Sequence, residues 1–286
     1  MPRDLAVTED PAAGFDLVLR PGRGRRQPPV WIASPRRPAT GARPLAVIHG
    51  ISRDAGGIAA RLAPRAAAQG RVLIAPLFTA EDFPRYQRAA CGRRSDRALL
   101  TLLDWLAAEG SIAPGAVDLA GYSGGAQFAH RFTWMHPNRV ARLTVAAAGW
   151  WTFPEAAPFP RGFGPADAAP AEAARWLRAN LRAFLDREIA VAVGRLDDAP
   201  DRTTRSSPEI DARQGPDRLT RARRWTLAMR AAALRLALPR RPTLTVLPGC
   251  GHDFHACADA GLDRLILPDA PCAAARPEAS ERRTPA

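Results

Sequence analysis

The chain has 286 residues, 47% of them hydrophobic, which suits one large α/β domain or two small ones. The formal net charge is +13 and every basic residue is arginine. These arginines are scattered without interleaved aromatic residues, which disfavours a nucleic-acid site and leaves only nonspecific attraction to anionic surfaces. The sequence has no apolar run near the ~20 residues of a membrane span and no secretory signal, so we expect a cytoplasmic protein.

The first half of the chain predicts a hairpin and then alternating strands and helices. Residues 1–14 are expected to be a loose lead-in. Short apolar or alternating runs predict strands, and apolar residues at helical spacing predict helices. Strands are predicted at 15–19, 29–33, 45–48, 71–76 and 117–120, helices at 57–69 and 96–109, and a long loop at 77–94.

The second half continues the alternation up to a tail at 268–286, which is expected to be disordered. Residues 150–186 are rich in Pro, Gly and Phe before a helix, and fit either a small cap-like insertion or a crossover helix with a long entry loop. Strands are predicted at 140–148, 189–193 and 244–247, and helices at 124–136, 170–186, 217–238 and 255–265. The pattern predicts an α/β domain over 15–267, a mostly parallel sheet of about eight strands with helices on both faces.

The strongest motif is Gly121-Tyr122-Ser123-Gly124-Gly125, which follows an apolar strand and precedes a helix. This is the G-x-S-x-G pattern in the strand-turn-helix context that it requires. Such a turn strains the serine backbone, exposes its hydroxyl to a base, and needs glycine where a Cβ would collide with neighbouring elements. Ser123 is therefore the candidate nucleophile.

A base and an acid follow in the chain order expected for a serine hydrolase on a parallel sheet. His252 lies after the last predicted strand and is the best placed of the five histidines. Asp197 ends the strand before it, and the adjacent Asp198 is the alternative acid. A carboxylate here would hold the histidine tautomer and stabilise the imidazolium.

An oxyanion hole requires two N–H donors. The amide of Gly124 directly follows the nucleophile, and the amide of Ile51 lies in the turn after the 45–48 strand, where Gly50 allows a close approach. The aromatic residues Tyr122, Trp150, Trp151 and Phe153 are candidates for substrate binding, although Trp150, Trp151 and Phe153 fit core packing equally well.

The four cysteines form no C-x-x-C pair and no zinc spacing, so free thiols are expected, with Cys250 and Cys257 close in space. The sequence implies no metal and no organic cofactor.

These motifs together resemble the α/β-hydrolase superfamily over residues 15–267, through His49-Gly50, the serine turn, Gly194-x-x-Asp197 and Gly251-His252-Asp253-Phe254. The resemblance is to esterase, dienelactone-hydrolase-like and depolymerase-like members. The chain lacks the His-Gly-Gly-Gly run of one lipase group, so its second oxyanion donor is inferred from position. A serine nucleophile argues against dehalogenase, epoxide hydrolase and true dienelactone hydrolase chemistry.

The expected activity is hydrolysis of a small to medium, partly apolar carboxylic ester through an acyl-enzyme. The alternatives are a peptidase or amidase, a cofactor-free perhydrolase or acyltransferase, and a non-catalytic binding module on the same fold. The sequence leaves the substrate and the oligomeric state open.

Overall fold

The computed structural model of this chain describes residues 5–8, 14–164 and 171–269. The strands are β1 Leu5–Thr8, β2 Phe15–Arg20, β3 Val30–Pro35, β4 Leu45–Ile48, β5 Leu73–Pro76, β6 Val117–Tyr122, β7 Val140–Ala146, β8 Glu188–Gly194 and β9 Thr243–Leu247. The α-helices are α1 Ala55–Ala68, α2 Ser95–Ala108, α3 Gly124–Met135, α4 Ala171–Leu185, α5 Pro208–Gln214, α6 Arg218–Arg235, α7 Phe254–Cys257 and α8 Asp263–Ile266. Across these ranges, no helix combines the length and apolarity needed to cross a bilayer.

The strands form one sheet in the order β1-β2-β3-β5-β4-β6-β7-β8-β9. The first three strands are antiparallel to their neighbours. The other six, which in sheet order are β5, β4, β6, β7, β8 and β9, are parallel to one another. The turns after β4, β6, β8 and β9 therefore leave the sheet at the same edge, where ligand sites of open α/β sheets lie.

Helices cover both faces of the sheet, as the sequence predicts. One core packs α2, α3, α4 and α6 against the sheet, and the other packs α1, α7 and α8 against its opposite face. The central strands β4 and β6 are buried along their whole length. Continuous apolar strands are typical of a parallel sheet that is covered on both faces, and the predicted fold is confirmed.

The described part of the chain differs from the predicted elements in three places. Leu5–Thr8, expected in the lead-in, pairs with β2 and makes a ninth strand. Between the strand predicted at 189–193 and the helix predicted at 217–238, the structure adds α5, which begins at the Ser207 cap. The last helix is broken at Gly261, where φ is +107°. Of the predicted disordered tail, residues 270–286 lie outside the described part of the chain.

The segment after β7 leads into α4, which packs against α3 on the way to β8. Trp134 of α3 donates from Nε1 to the Leu177 carbonyl oxygen at 2.6 Å, and its ring stacks on Phe184 at a centroid distance of 4.9 Å. Helix α4 therefore lies along the chain between two parallel strands, and a cap role for 150–186 stays a prediction.

Candidate active site

The turn between β6 and α3 has a strained and crowded backbone. Ser123 has φ +53° and ψ −113°, outside the regions that a residue with a Cβ favours. A Cβ on Gly121 would lie 2.8 Å from the Ala126 nitrogen, and one on Gly125 would lie 2.6 Å from the His49 carbonyl oxygen. Glycine is required at both positions because the strand, the turn and the helix approach one another this closely.

Three side chains from separate strand ends form a continuous hydrogen-bonded series. His252 Nε2 lies 3.0 Å from Ser123 Oγ, and His252 Nδ1 lies 2.9 Å from Asp197 Oδ2. Since a carboxylate only accepts, Nδ1 donates to Asp197 and Nε2 is left to accept from the serine hydroxyl. Asp197 is buried, whereas the alternative acid Asp198 is exposed.

Asp197 is itself held by a buried arginine. Arg218, the first residue of α6, donates from Nη1 to Asp197 Oδ1 at 3.0 Å and to Asp201 Oδ2 at 2.9 Å. Burial alone would lower the pKa of Arg218, but its bonds to Asp201 and Asp197 raise it. The Leu219 amide donates to the Asp197 carbonyl oxygen at 3.0 Å, so backbone and side chain of the acid are both fixed.

The imidazole of His252 lies against aromatic rings. Tyr122 stacks on it with a centroid distance of 5.3 Å and an interplanar angle of 25°, and Phe254 packs edge-on against Tyr122 at 5.5 Å. Burial raises the pKa of the Tyr122 hydroxyl well above its usual value, so this group stays neutral. Tyr122 lines the cavity at Ser123, and its role in substrate binding stays a prediction.

The turn after β4 brings the Ile51 amide next to Gly124. A Cβ added to Gly124 would lie 3.3 Å from the Ile51 nitrogen. Neither of these two amides donates a hydrogen bond to any residue that the structure describes. Two amides without an acceptor among the described residues therefore lie close together beside Ser123.

Buried hydrogen bonds fix this turn from behind. Tyr86 donates its hydroxyl to the His49 carbonyl oxygen at 2.6 Å. His49 Nε2 accepts from the Phe78 amide at 3.0 Å, and its Nδ1 lies 2.7 Å from the Gly50 carbonyl oxygen. Burial lowers the pKa of His49 to about 4, so the ring is neutral near pH 7 and its two nitrogens act as one donor and one acceptor.

A cavity of about 250 Å³ opens beside Ser123. Its walls come from the turns after β4, β6 and β9 and from the loop after β8. They include Gly50, Ile51, Tyr122, Thr203, His252 and Phe254. Ile51 is 48% exposed here and supplies an apolar part of the wall.

Two thiols lie behind the histidine. The Sγ atoms of Cys250 and Cys257 are 3.5 Å apart, and both cysteines are free and buried. Burial raises the pKa of the Cys257 thiol to about 12, so it stays protonated and unreactive at neutral pH. Among the described residues, no three His, Cys, Asp or Glu side chains are grouped for metal binding.

No protein-family model and no curated protein matches this sequence, but solved structures do match. A poly(3-hydroxybutyrate) depolymerase from Bordetella parapertussis superposes with a TM-score of 0.69 at 25% identity, over 91% of this chain and 92% of that one. Poly(aspartic acid) hydrolase-1 from a Sphingomonas species also gives 0.69, at 23% identity over 91% and 96%. An S-formylglutathione hydrolase from Agrobacterium tumefaciens gives 0.59 at 12% identity over 91% and 96%.

This chain is an α/β-hydrolase. Its structural neighbours belong to the esterase and depolymerase branch of the superfamily, and the 25% identical depolymerase extends the likeness from the fold to the hydrolase class. The predicted superfamily and enzyme class are therefore confirmed.

In this α/β-hydrolase, three aromatic residues expected at the substrate pocket do not line the cavity at Ser123. Trp151 is fully buried and stacks on Trp225 at 4.5 Å, and Phe153 belongs to the same core. Trp150 borders a different cleft. The core packing that the sequence allowed as an equal alternative describes Trp151 and Phe153.

The sequence reasoning missed two residues that support the site. Tyr86 lies in a segment predicted as a loop, and only the fold brings its hydroxyl to His49. Arg218 is one of 41 arginines, and its separation from Asp197 along the chain matches neither a helix nor a strand period. The sole local signal was its place at the start of a predicted helix.

Proposed function

We propose that this α/β-hydrolase is a serine esterase that cleaves carboxylic esters through an acyl-enzyme. The observation that carries the proposal is the hydrogen-bonded series Ser123–His252–Asp197 at the wall of an open cavity. A nucleophile within hydrogen-bond reach of a base, which is in turn oriented by a third group, is the arrangement that activates a serine.

In the first half of the reaction, His252 Nε2 accepts the Ser123 proton as Oγ attacks the ester carbonyl carbon. Asp197 keeps the proton of the imidazole on Nδ1 and stabilises the imidazolium that forms. The Gly124 and Ile51 amides donate to the developing oxyanion, helped by the positive end of the α3 dipole. His252 then protonates the leaving alkoxide, and the alcohol departs.

In the second half, a water molecule takes the position that the alcohol has left. His252 accepts a proton from this water as its oxygen attacks the acyl carbon, and the same two amides stabilise the second oxyanion. Collapse of this intermediate returns the proton from His252 to Ser123 Oγ and releases the carboxylic acid.

The cavity suits a short to medium acyl group. Its volume of about 250 Å³ is below that of pockets that enclose a drug-sized ligand, and the Ile51 and Phe254 side chains supply an apolar wall. We therefore expect turnover to fall for long acyl chains.

The test is hydrolysis of p-nitrophenyl esters of graded acyl length by the purified protein and by variants. Ser123→Ala should lower kcat by at least about 10⁴-fold and abolish labelling by a fluorophosphonate probe. Asp197→Asn should lower kcat by about 10⁴-fold because it removes the group that fixes the tautomer. Asp198→Asn is the matched control and should stay near wild type.

Unchanged hydrolysis by Ser123→Ala would refute the mechanism. Faster turnover of a matched p-nitroanilide than of the ester would replace the esterase by an amidase on the same residues. Absence of both turnover and labelling in the folded wild-type protein would favour a binding module.

A further inference from the structure

A second cleft has a volume of about 190 Å³. We call it the arginine cleft; its walls include Arg88, Trp150, Phe159, Arg161, Arg205 and Ile210. Cations and large apolar side chains thus line one space. Such a surface suits a ligand with a hydrocarbon part and an anionic end.

Two of the three cations in this cleft have no counter-charge in the described part of the chain. Arg161 pairs with Glu209 at 2.8 Å. The Arg88 and Arg205 side chains make no ion pair and no hydrogen bond with the described residues. Partial burial, then the charges of Arg85 and Arg205, lower the pKa of Arg88, so the local field already disfavours another positive charge.

A further uncompensated arginine lies against a wall of this cleft. The guanidinium carbon of Arg131 is 4.4 Å from the centroid of the Trp150 ring. Arg131 is fully buried, its recorded acceptors are neutral oxygens, and its Nη2 has no partner among the described residues. Burial lowers its pKa to about 9, so it is still charged at pH 7. A buried charge without an opposite charge beside it is costly, and an anion nearby would reduce that cost.

Two short stretches of chain link the arginine cleft to the site at Ser123. Thr203 lines the cavity at Ser123 and Arg205 lines the cleft, and two residues of chain span at most about 7 Å. Arg88 of the cleft shares a 3₁₀ turn with Tyr86, whose hydroxyl donates to the His49 carbonyl oxygen. Segments that border or support the cavity at Ser123 thus continue into the walls of the arginine cleft.

We propose that the arginine cleft binds a carboxylate group of the substrate, so that the preferred substrates are esters whose acyl chain ends in a carboxylate. This inference rests on the proposed esterase activity and names its substrate class. Arg88 and Arg205 donate charge-assisted hydrogen bonds to the carboxylate, and Trp150, Phe159 and Ile210 pack against the chain that leads to it. The net charge of +13 adds attraction of anions over longer distances.

The test compares mono-p-nitrophenyl esters of dicarboxylic acids with p-nitrophenyl esters of the same chain length that end in a methyl group. For the chain length that reaches the arginine cleft, kcat/KM should favour the carboxylate-ended ester by roughly tenfold or more, and added salt should reduce this preference. Arg88→Gln and Arg205→Gln should each lower the ratio of the two kcat/KM values roughly tenfold. Arg223→Gln, an exposed change on α6, should leave the ratio as in the wild type.

The outcomes separate the two proposals. If the methyl-ended esters are hydrolysed by the wild type and lost in Ser123→Ala, but no chain length favours the carboxylate, the substrate class is wrong and the esterase stands. If ester hydrolysis survives in Ser123→Ala, the esterase mechanism is wrong. Calorimetric titration of Ser123→Ala with adipate still tests the cleft: binding that Arg205→Gln weakens supports it, and no binding overturns it.

Discussion

The closest backbone approach in the site is at Gly125, and alanine there should disable the enzyme. Gly125 is the second residue of α3 and faces the end of β4. An added Cβ would lie 2.6 Å from both the His49 carbonyl oxygen and the Ile48 carbonyl carbon. Both neighbours are backbone atoms of the strand that leads into the Ile51 turn, so no side chain can rotate away.

The size of the effect follows from that distance. Non-bonded heavy atoms prefer a separation of about 3.5 Å, and the Ile48 carbonyl oxygen would lie closer still, so α3 and the β4 turn must move apart by at least about 1 Å. Overpacking of this kind costs about 1–3 kcal/mol of folding stability. The same displacement separates the Gly124 and Ile51 amides, and a misplacement of about 1 Å can cost about 10²-fold in rate.

The assay is kcat for a short p-nitrophenyl ester together with the urea-unfolding midpoint. Gly125→Ala should lower kcat about 100-fold and lower the midpoint, with the far-ultraviolet circular dichroism of a folded protein. Gly149→Ala is the control, because a Cβ there meets only the end of the Gln127 side chain at 3.1 Å. A Gly125→Ala variant with wild-type kcat and a wild-type unfolding midpoint would contradict the close approach of α3 to the end of β4.

Three further predictions concern the supporting residues. Tyr86→Phe removes the hydrogen bond to the His49 carbonyl oxygen and should lower kcat about five- to tenfold at unchanged fold, since such a bond contributes about 1 kcal/mol; an unchanged kcat contradicts this. Arg218→Gln leaves the Asp197 carboxylate buried without its cation and should lower the free energy of unfolding by about 3–5 kcal/mol in urea titrations, whereas Arg223→Gln should not. The pKa of His49 is about 4 in the folded protein, against the ordinary value of 6.5. As pH falls, the unfolded state therefore binds the proton before the folded state does. The free energy of unfolding should fall by about 3 kcal/mol between pH 6.5 and pH 4. Urea unfolding should show a weaker dependence on pH over that range in His49→Gln, and an equal dependence would refute the assignment.

The elements that were predictable from the sequence are those whose signal is local. The predicted strands at 45–48, 117–120 and 189–193 are short apolar runs between turn residues, and such runs are buried wherever a sheet is covered on both faces. Alternation with helices then dictates parallel pairing and one common edge. Ser123, Asp197 and His252 lie at the carboxyl ends of β6, β8 and β9 in the structure, while their catalytic roles remain predictions.

The features that the sequence did not predict depend on contacts between distant residues. Strand β1 is defined only by its pairing with β2, because four residues carry too little periodicity. The sequence around Trp151 is equally compatible with a ring that lines a pocket and with a ring that stacks on Trp225 in the core. The partner of Asp197 is an arginine 21 residues away, and the fold alone selects Arg218 from the many arginines.

The connection between β8 and α6 separates the fixed part of the site from its variable part. Arg218 ties Asp197 to Asp201 and to Thr203 Oγ1, whereas the Arg205 side chain, two residues further along, borders the arginine cleft outside that tie. Substitutions of Arg205 can therefore change the lining of the cleft while the acid keeps its position. In evolution and in directed libraries alike, this position is where new substrate ranges can arise on an unchanged frame.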